Sequence, residues 1–384
     1  MKLGLTSFGG PIAHLAYFHR ELIERRGWLG QRDYAQLIAL CQFLPGPASS
    51  QLGFVLGLLR GGWLGALAAF IAFTLPSALL LVAFAALLPM VSGGIGDAAL
   101  QGLKLLAVAV VAHGVLGMGR QLCPDRTRIG IATAAVVVLL LFGQAWMQLL
   151  VVALGALAGL MLCREVSAVE STGLRLGYGP RLGIALLGVF GLLLIGLPLL
   201  AAGSGGLLAV AEAFYRSGAL VFGGGHVVLP LLEEAVVAPG WVSQDEFLAG
   251  YGAAQAVPGP MFTLAAYLGA RLPGADGGLV GASVALAAIF LPGFLLAVGV
   301  LPLWRSIVSR PAAARAVAGV NAAVVGLLGA ALYDPVWTSA VRDSIDVAIA
   351  LVGFMLLATW RVSVLWVVAW CVGASLAATM LFGA

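Results

Sequence analysis

Within QFLPGPASSQ (42–51), Gln42, Pro45, Gly46, Pro47, Ser49 and Ser50 interrupt an apolar segment (35–58) long enough to cross a bilayer as one helix. Gln255, Pro258, Gly259, Pro260 and Thr263 repeat the arrangement in QAVPGPMFT (255–263), inside a second apolar segment at 247–270. Proline lacks an N–H and fixes its own φ, so it breaks a helix interior but suits a first turn. Pro47 and Pro260 can therefore each open a new half-helix. The free N–H groups of such a half-helix, from about Ala48 to Gln51 and from Met261 to Leu264, carry the positive end of the helix dipole and suit an anion. Ser49, Ser50 and Thr263 add hydroxyls, and Gln42 and Gln255 add amides. A lone PGP reads most simply as a kink or a close-packing point, whereas a matched pair favours the anion reading.

Other polar groups recur at matched depth. Lys104 in GLKLLAVAVVAHG answers Asn321 in GVNAAVVGLLGA, and an ionisable group inside a span is a functional candidate by default. The alternative for Lys104 is that it snorkels to the interface. The run Gly223, Gly224 and Gly225 can form a backbone nest for an anion or a tight helix crossing. His14 and His226 each follow an FGG and could carry a proton, although a hydrogen-bonded structural histidine is the commoner role.

These residues need elements to position them, and composition says which kind. Hydrophobic residues make up 62% of the 384 and charged ones 9%, against about 25% charged in ordinary soluble chains. The mean hydropathy is +1.08. The chain is thus expected to be an all-α polytopic membrane protein, with about thirteen apolar segments near 2–18, 35–58, 62–88, 98–119, 129–142, 146–162, 182–200, 207–232, 247–270, 278–301, 312–333, 346–359 and 363–381. No removable signal peptide is expected. FGG at 8–10 answers FGG at 222–224, GWLGQRDY at 27–34 answers GWVSQDEF at 240–247, and the PGP motifs follow at an offset of 213. GGWLG at 61–65 then matches GGLVG at 277–281, and LPS at 75–77 matches LPG at 291–293. We therefore divide the chain into a first repeat at 1–163, a linker with a central helix at 164–206 and a second repeat at 207–384. If every segment crosses, the halves are inverted, the arrangement common among secondary transporters. If the PGP segments alone turn back, the same count makes them parallel. Inversion is the expectation taken here.

The sequence offers no Walker loop, no HExxH and no serine elbow. Its four cysteines lack metal-type spacing, so no cofactor, no enzymatic activity and no nucleic-acid partner are expected. SFGGPIAHLAYFHRE (7–21), QFLPGPASSQ, VFGGGHVVLP (221–230) and QAVPGPMFT, in this order, resemble the paired motifs of the chromate ion transporter family in its fused two-domain form. The resemblance implies a bacterial inner-membrane protein that exports chromate, with sulfate as an analogue or competitor. A sulfate or other oxyanion transporter, exchanger or channel is the alternative. Protons and membrane potential are the expected driving forces.

Overall fold

The computed structural model describes residues 2–8, 10–90, 93–142, 145–164, 177–203, 205–223 and 225–382, and these are helical almost throughout, without strands. Gly224 of the glycine run, and residues 165–176 and Ser204 of the linker, lie outside the described residues.

Each half opens with two helical hairpins that enter the protein and turn back. In the first half, α1 (Lys2–Thr6) precedes the FGG motif, whose Gly9 lies outside the described residues, and α2 (Gly10–Phe18) follows it back, continuing as a wider helical turn at His19–Arg25. The return is visible in side chains: Lys2 Nζ lies 3.9 Å from Glu21. α3 (Gln31–Phe43) then runs inward to the PGP break, and the first arm of α4 (Ala48–Leu87), residues 48–60, comes back out. The arms end together, with the Arg60 guanidinium 5.9 Å from the Trp28 ring. Gly61 and Gly62 leave helical geometry, and the second arm of α4 departs at Trp63.

The second half repeats this. α9 (Leu207–Leu220) and α10 (Val228–Val236) flank the second FGG, with Ser217 Oγ donating to the Leu231 carbonyl at 3.3 Å and Arg216 within 4.0 Å of Glu234. α11 (Gln244–Ala256) starts at a capping box, Ser243 with Glu246, and leads to the second PGP. α12 (Leu264–Arg271) returns antiparallel to it: the Tyr267 hydroxyl donates to the Glu246 carbonyl, and Arg271 pairs with the Glu246 carboxylate. The PGP segments therefore fold back as re-entrant hairpins, the second of the two alternatives the sequence left open for them. A helix could not continue straight through Gly46 or Gly259, whose φ values are +117° and +119°.

Among the described residues six helices are long and apolar enough to cross a membrane: the second arm of α4, α5 (Gly94–Leu122), α8 (Pro180–Ala201), α13 (Gly278–Val300), α15 (Pro311–Ala331) and α18 (Val364–Phe382), with α6 (Arg126–Phe142), α7 (Ala145–Leu162) and α17 (Ser344–Ala358) as shorter helices packed among them. Short α14 (Trp304–Val308) and α16 (Thr338–Ala340) lie between crossings. Residues 63–87 span about 37 Å of helix. They run from the mouth of the first PGP hairpin to Leu88 and Pro89, which line a cavity with Asp245, Glu246 and Arg271 at the mouth of the second. The two mouths thus open on opposite faces, and the repeats are inverted. Five helical passes, the second arm of α4 and α5 to α8, separate the hairpins of the two halves, an odd number, because the FGG segments turn back as well as the PGP segments. Packing agrees, since Leu296, Ala297 and Val300 at the far end of α13, with Leu301 and Trp304 just beyond it, share a core cluster with Leu37, Leu40, Leu52 and Val55 of the first PGP hairpin.

Candidate functional site

Each PGP tip is seated on the opposite half inside the bundle, and the contacts are reciprocal. Gly46 N–H donates to the carbonyl of Val221, the residue before the second FGG, at 2.6 Å. Gly259 N–H donates to the carbonyl of Ser7, the residue before the first FGG, at 2.9 Å. A Cβ on Gly46 would stand 3.1 Å from the Gly293 Cα, and one on Gly259 would stand 2.6 Å from the Ser77 Oγ. Ser77 and Gly293 are the residues after Pro76 and Pro292 in the matched spans. Each hairpin tip is thus seated on the residue before the other half's FGG and on its proline-containing span. Only glycine allows this approach, and the positive φ adds a second requirement for it.

Helix starts converge there. Pro47 precedes the first arm of α4, and the Gln51 N–H already bonds the Pro47 carbonyl, leaving the N–H groups of Ala48 to Ser50 at the open end. Pro260 opens a short tight turn at Met261–Thr263 ahead of α12, where Thr263 N–H takes the Pro260 carbonyl.

The hydroxyls divide by what they already do. Thr263 Oγ1 donates to the Pro260 carbonyl at 2.7 Å, so its proton is spent locally. Ser49 Oγ lies 3.3 Å from His14 Nδ1, and His14 Nε2 lies 3.2 Å from the Ser7 carbonyl. A carbonyl only accepts, so Nε2 carries the proton and Nδ1 accepts from Ser49. His14 therefore ties the first PGP arm to the carbonyl that Gly259 of the second also uses. The hydroxyls of Ser7, Ser50 and Thr74 are buried and have no hydrogen-bond partner among the described residues, and the same holds for Gln51 Oε1. The Gln51 amide nitrogen holds the Pro45 and Gly293 carbonyls at 2.8 and 3.0 Å. Unpaired buried hydroxyls are costly. Ser50 lies in the first turn of the α4 arm, Ser7 provides the carbonyl shared by His14 and Gly259, and Thr74 follows Phe73 against the second tip, so three free donors sit on the elements that seat the tips.

Other candidate residues lie elsewhere. Gln42 is exposed, and the Gln255 amide is engaged with Met261 Sδ at 3.5 Å and with Tyr251. Pro45 and Pro258 flank the tips. His226 sits 3.1 Å from the Tyr251 hydroxyl and against Gly114, off the chain that joins the tips. Gly223 packs on Met118, Leu122 and Val324, and Gly225 starts a short turn, so neither is brought to the PGP crossing. Lys104 is buried at the second hairpin's mouth and pairs with Asp245 at 2.5 Å. Asn321 lies within α15, its Oδ1 buried and unpartnered among the described residues. Ser7, Thr74, Ser77 and the Gln51 side chain are not among the candidates drawn from the sequence. Thr74 and Ser77 flank the matched LP pair and Ser7 precedes the first FGG, so their positions were signalled by the repeat.

Charge is distributed unequally. Lys104, Arg216, Arg271 and Arg342 belong to the face of the second hairpins, and every other described lysine and arginine belongs to the opposite face. On that arginine-rich face, hydrogen bonds from Arg26 and Arg25 hold the Glu21 carboxyl below the usual carboxylate range. On the other face, Glu233 at the mouth of the second FGG hairpin is pushed up to about 7 by burial, then by Asp334 and Glu234.

An inverted-repeat, all-α membrane protein with re-entrant hairpins meeting at a donor-rich centre is the architecture of a transporter. The chain belongs to the chromate transporter family, whose model matches residues 1–160 and 208–376. It is 30% identical over 346 residues to a probable chromate transport protein of Synechococcus elongatus, covering 86% of this chain and 81% of that one. It is 27% identical to a chromate transport protein of Pseudomonas aeruginosa (94% and 86% covered) and 30% identical to one of Cupriavidus metallidurans (93% and 85%). No solved structure matches.

Proposed function

We propose that the protein is a secondary transporter that exports chromate across the bacterial inner membrane, binding the dianion where the PGP tips meet. The observation that carries this reading is the set of buried hydroxyls of Ser7, Ser50 and Thr74, unpartnered among the described residues, on the elements that seat the two tips. A buried dianion needs donors on several sides, and hydroxyls and helix N–H groups provide them without burying a cation. The names of the relatives supply chromate. Sulfate, of the same shape and charge, is the expected competitor, because such a site separates isosteres poorly.

The positive-inside rule makes the arginine-rich face cytoplasmic. Those cations attract the dianion to the first hairpins, and the membrane potential drives it out. One charge is worth about 2.3 kcal/mol per 100 mV, so two give about 4.6 kcal/mol, enough for a gradient of about a thousandfold. Proton entry would add to this. His14, on the chain of hydrogen bonds between the two hairpins, and Glu233 on the outer face are the groups we assign to it; His226, bonded to Tyr251 off that chain, is not.

Purified protein in vesicles clamped with potassium and valinomycin tests the reading. Chromate flux should follow the imposed potential and be inhibited by sulfate on the same side. Flux that ignores voltage but requires sulfate on the opposite side would overturn it in favour of electroneutral exchange.

A further inference from the structure

Three of the four cations on the outer face, Lys104, Arg271 and Arg342, line one cavity of about 490 Å³ at the mouth of the second PGP hairpin. Asp97, Asp245 and Glu246 share its wall, so the cavity is charge-balanced overall. The balance is uneven in how firmly each charge is held. Arg271 is paired with Glu246, yet its Nε is buried without a partner among the described residues. The Arg342 guanidinium enters no ion pair among the described residues. Lys104 is 3% exposed, and its ammonium has Asp245 as its partner. The Asp245 side chain is 65% exposed.

A buried ammonium cannot do without an anion, because leaving it unpaired carries a desolvation cost of several kcal/mol. An exposed carboxylate can leave for water at little cost. The pair is therefore asymmetric: Lys104 needs some anion, and Asp245 is one that can be exchanged. From this geometry we propose that the cavity is a second, outer oxyanion site, in which the Asp245 carboxylate holds Lys104 until a tetrahedral dianion displaces it. The incoming anion takes Lys104, the free Nε–H of Arg271 and the Arg342 guanidinium. α11 and α12 lead from this cavity to the tips, about 20 Å of helix away, so the site is distinct from the central one. The choice of an oxyanion rests on the function proposed above, whereas the exchangeable ion pair does not.

The test reads the cavity locally. The native cysteines are all buried, so a cysteine introduced by Leu100→Cys, on the cavity wall, reports access of a negatively charged methanethiosulfonate in the full-length purified protein. Inorganic sulfate is the probe, at constant ionic strength, because chromate would oxidise the thiol. Sulfate should slow labelling saturably. Asp245→Asn should lower the half-protecting concentration at least tenfold by removing the competing carboxylate, and Arg271→Gln should raise it at least tenfold. No protection, or protection that Asp245→Asn leaves unchanged or weakens, would overturn the proposal. Protection that persists in protein without chromate flux would count against the transport reading alone.

Discussion

Ser50 and Thr263 occupy matching first turns, and their hydroxyls are not equivalent. Thr263 is spent on the Pro260 carbonyl, whereas Ser50 has no partner among the described residues. A hydrogen bond to a charged group is worth about 1.5–3 kcal/mol. Ser50→Ala should therefore raise the chromate KM roughly ten- to hundredfold, and Thr263→Ala should change it less than threefold, measured as initial flux in vesicles. Equal effects would mean that the anion does not use the free hydroxyl. The histidines separate in the same way. His14 bridges Ser49 and the Ser7 carbonyl, while His226 bonds Tyr251 away from the crossing. Protonation of His14 would force Nδ1 to donate to Ser49 and free the serine proton for the anion. The stimulation of flux by a transmembrane pH gradient should disappear in His14→Ala and survive in His226→Ala. A gradient effect lost only in His226→Ala would remove His14 from the coupling.

At the scale of elements, the hairpins depend more on their tip glycines than on the prolines beside them. The arms of each PGP segment are antiparallel, so replacing Pro47 cannot heal them into one straight helix. Gly46 and Gly259 combine a positive φ with backbone contact to the opposite half. Gly46→Ala and Gly259→Ala should each lower chromate flux at least tenfold at unchanged expression, with Pro47→Ala milder. A Gly46→Ala protein that transports normally would show that the tips need not seat this closely. The broken helices, the repeat and its internal register were legible in the sequence because proline, glycine and matched spacing act locally. The folding back of the FGG and PGP segments was not. Apolar segments of about 20 residues look alike whether they cross or return, and the contacts that decide it, such as Lys2 with Glu21 and Tyr267 with the Glu246 carbonyl, join residues some twenty positions apart. Lys104 was readable as a candidate, but its exposed partner Asp245 is 141 positions away.

For the whole molecule, four returning hairpins and an odd number of crossings between the halves make one two-sided device. Cysteines placed at Gln31 and Gln244, at the mouths of the two PGP hairpins, should react with an impermeant reagent from opposite sides of the membrane, Gln31→Cys from the cytoplasmic side. Labelling of both from one side would abolish the inversion and with it the meeting of the tips.

That meeting, with the oxyanion held between the tips, is the central claim, and chromium's anomalous scattering tests it most directly. Diffraction from crystals of the full chain with chromate should show a chromium peak at the crossing, within hydrogen-bond reach of the Ser50 hydroxyl and the first N–H groups of the α4 arm. Chromium found only elsewhere, with the tips closed and vacant, would contradict it.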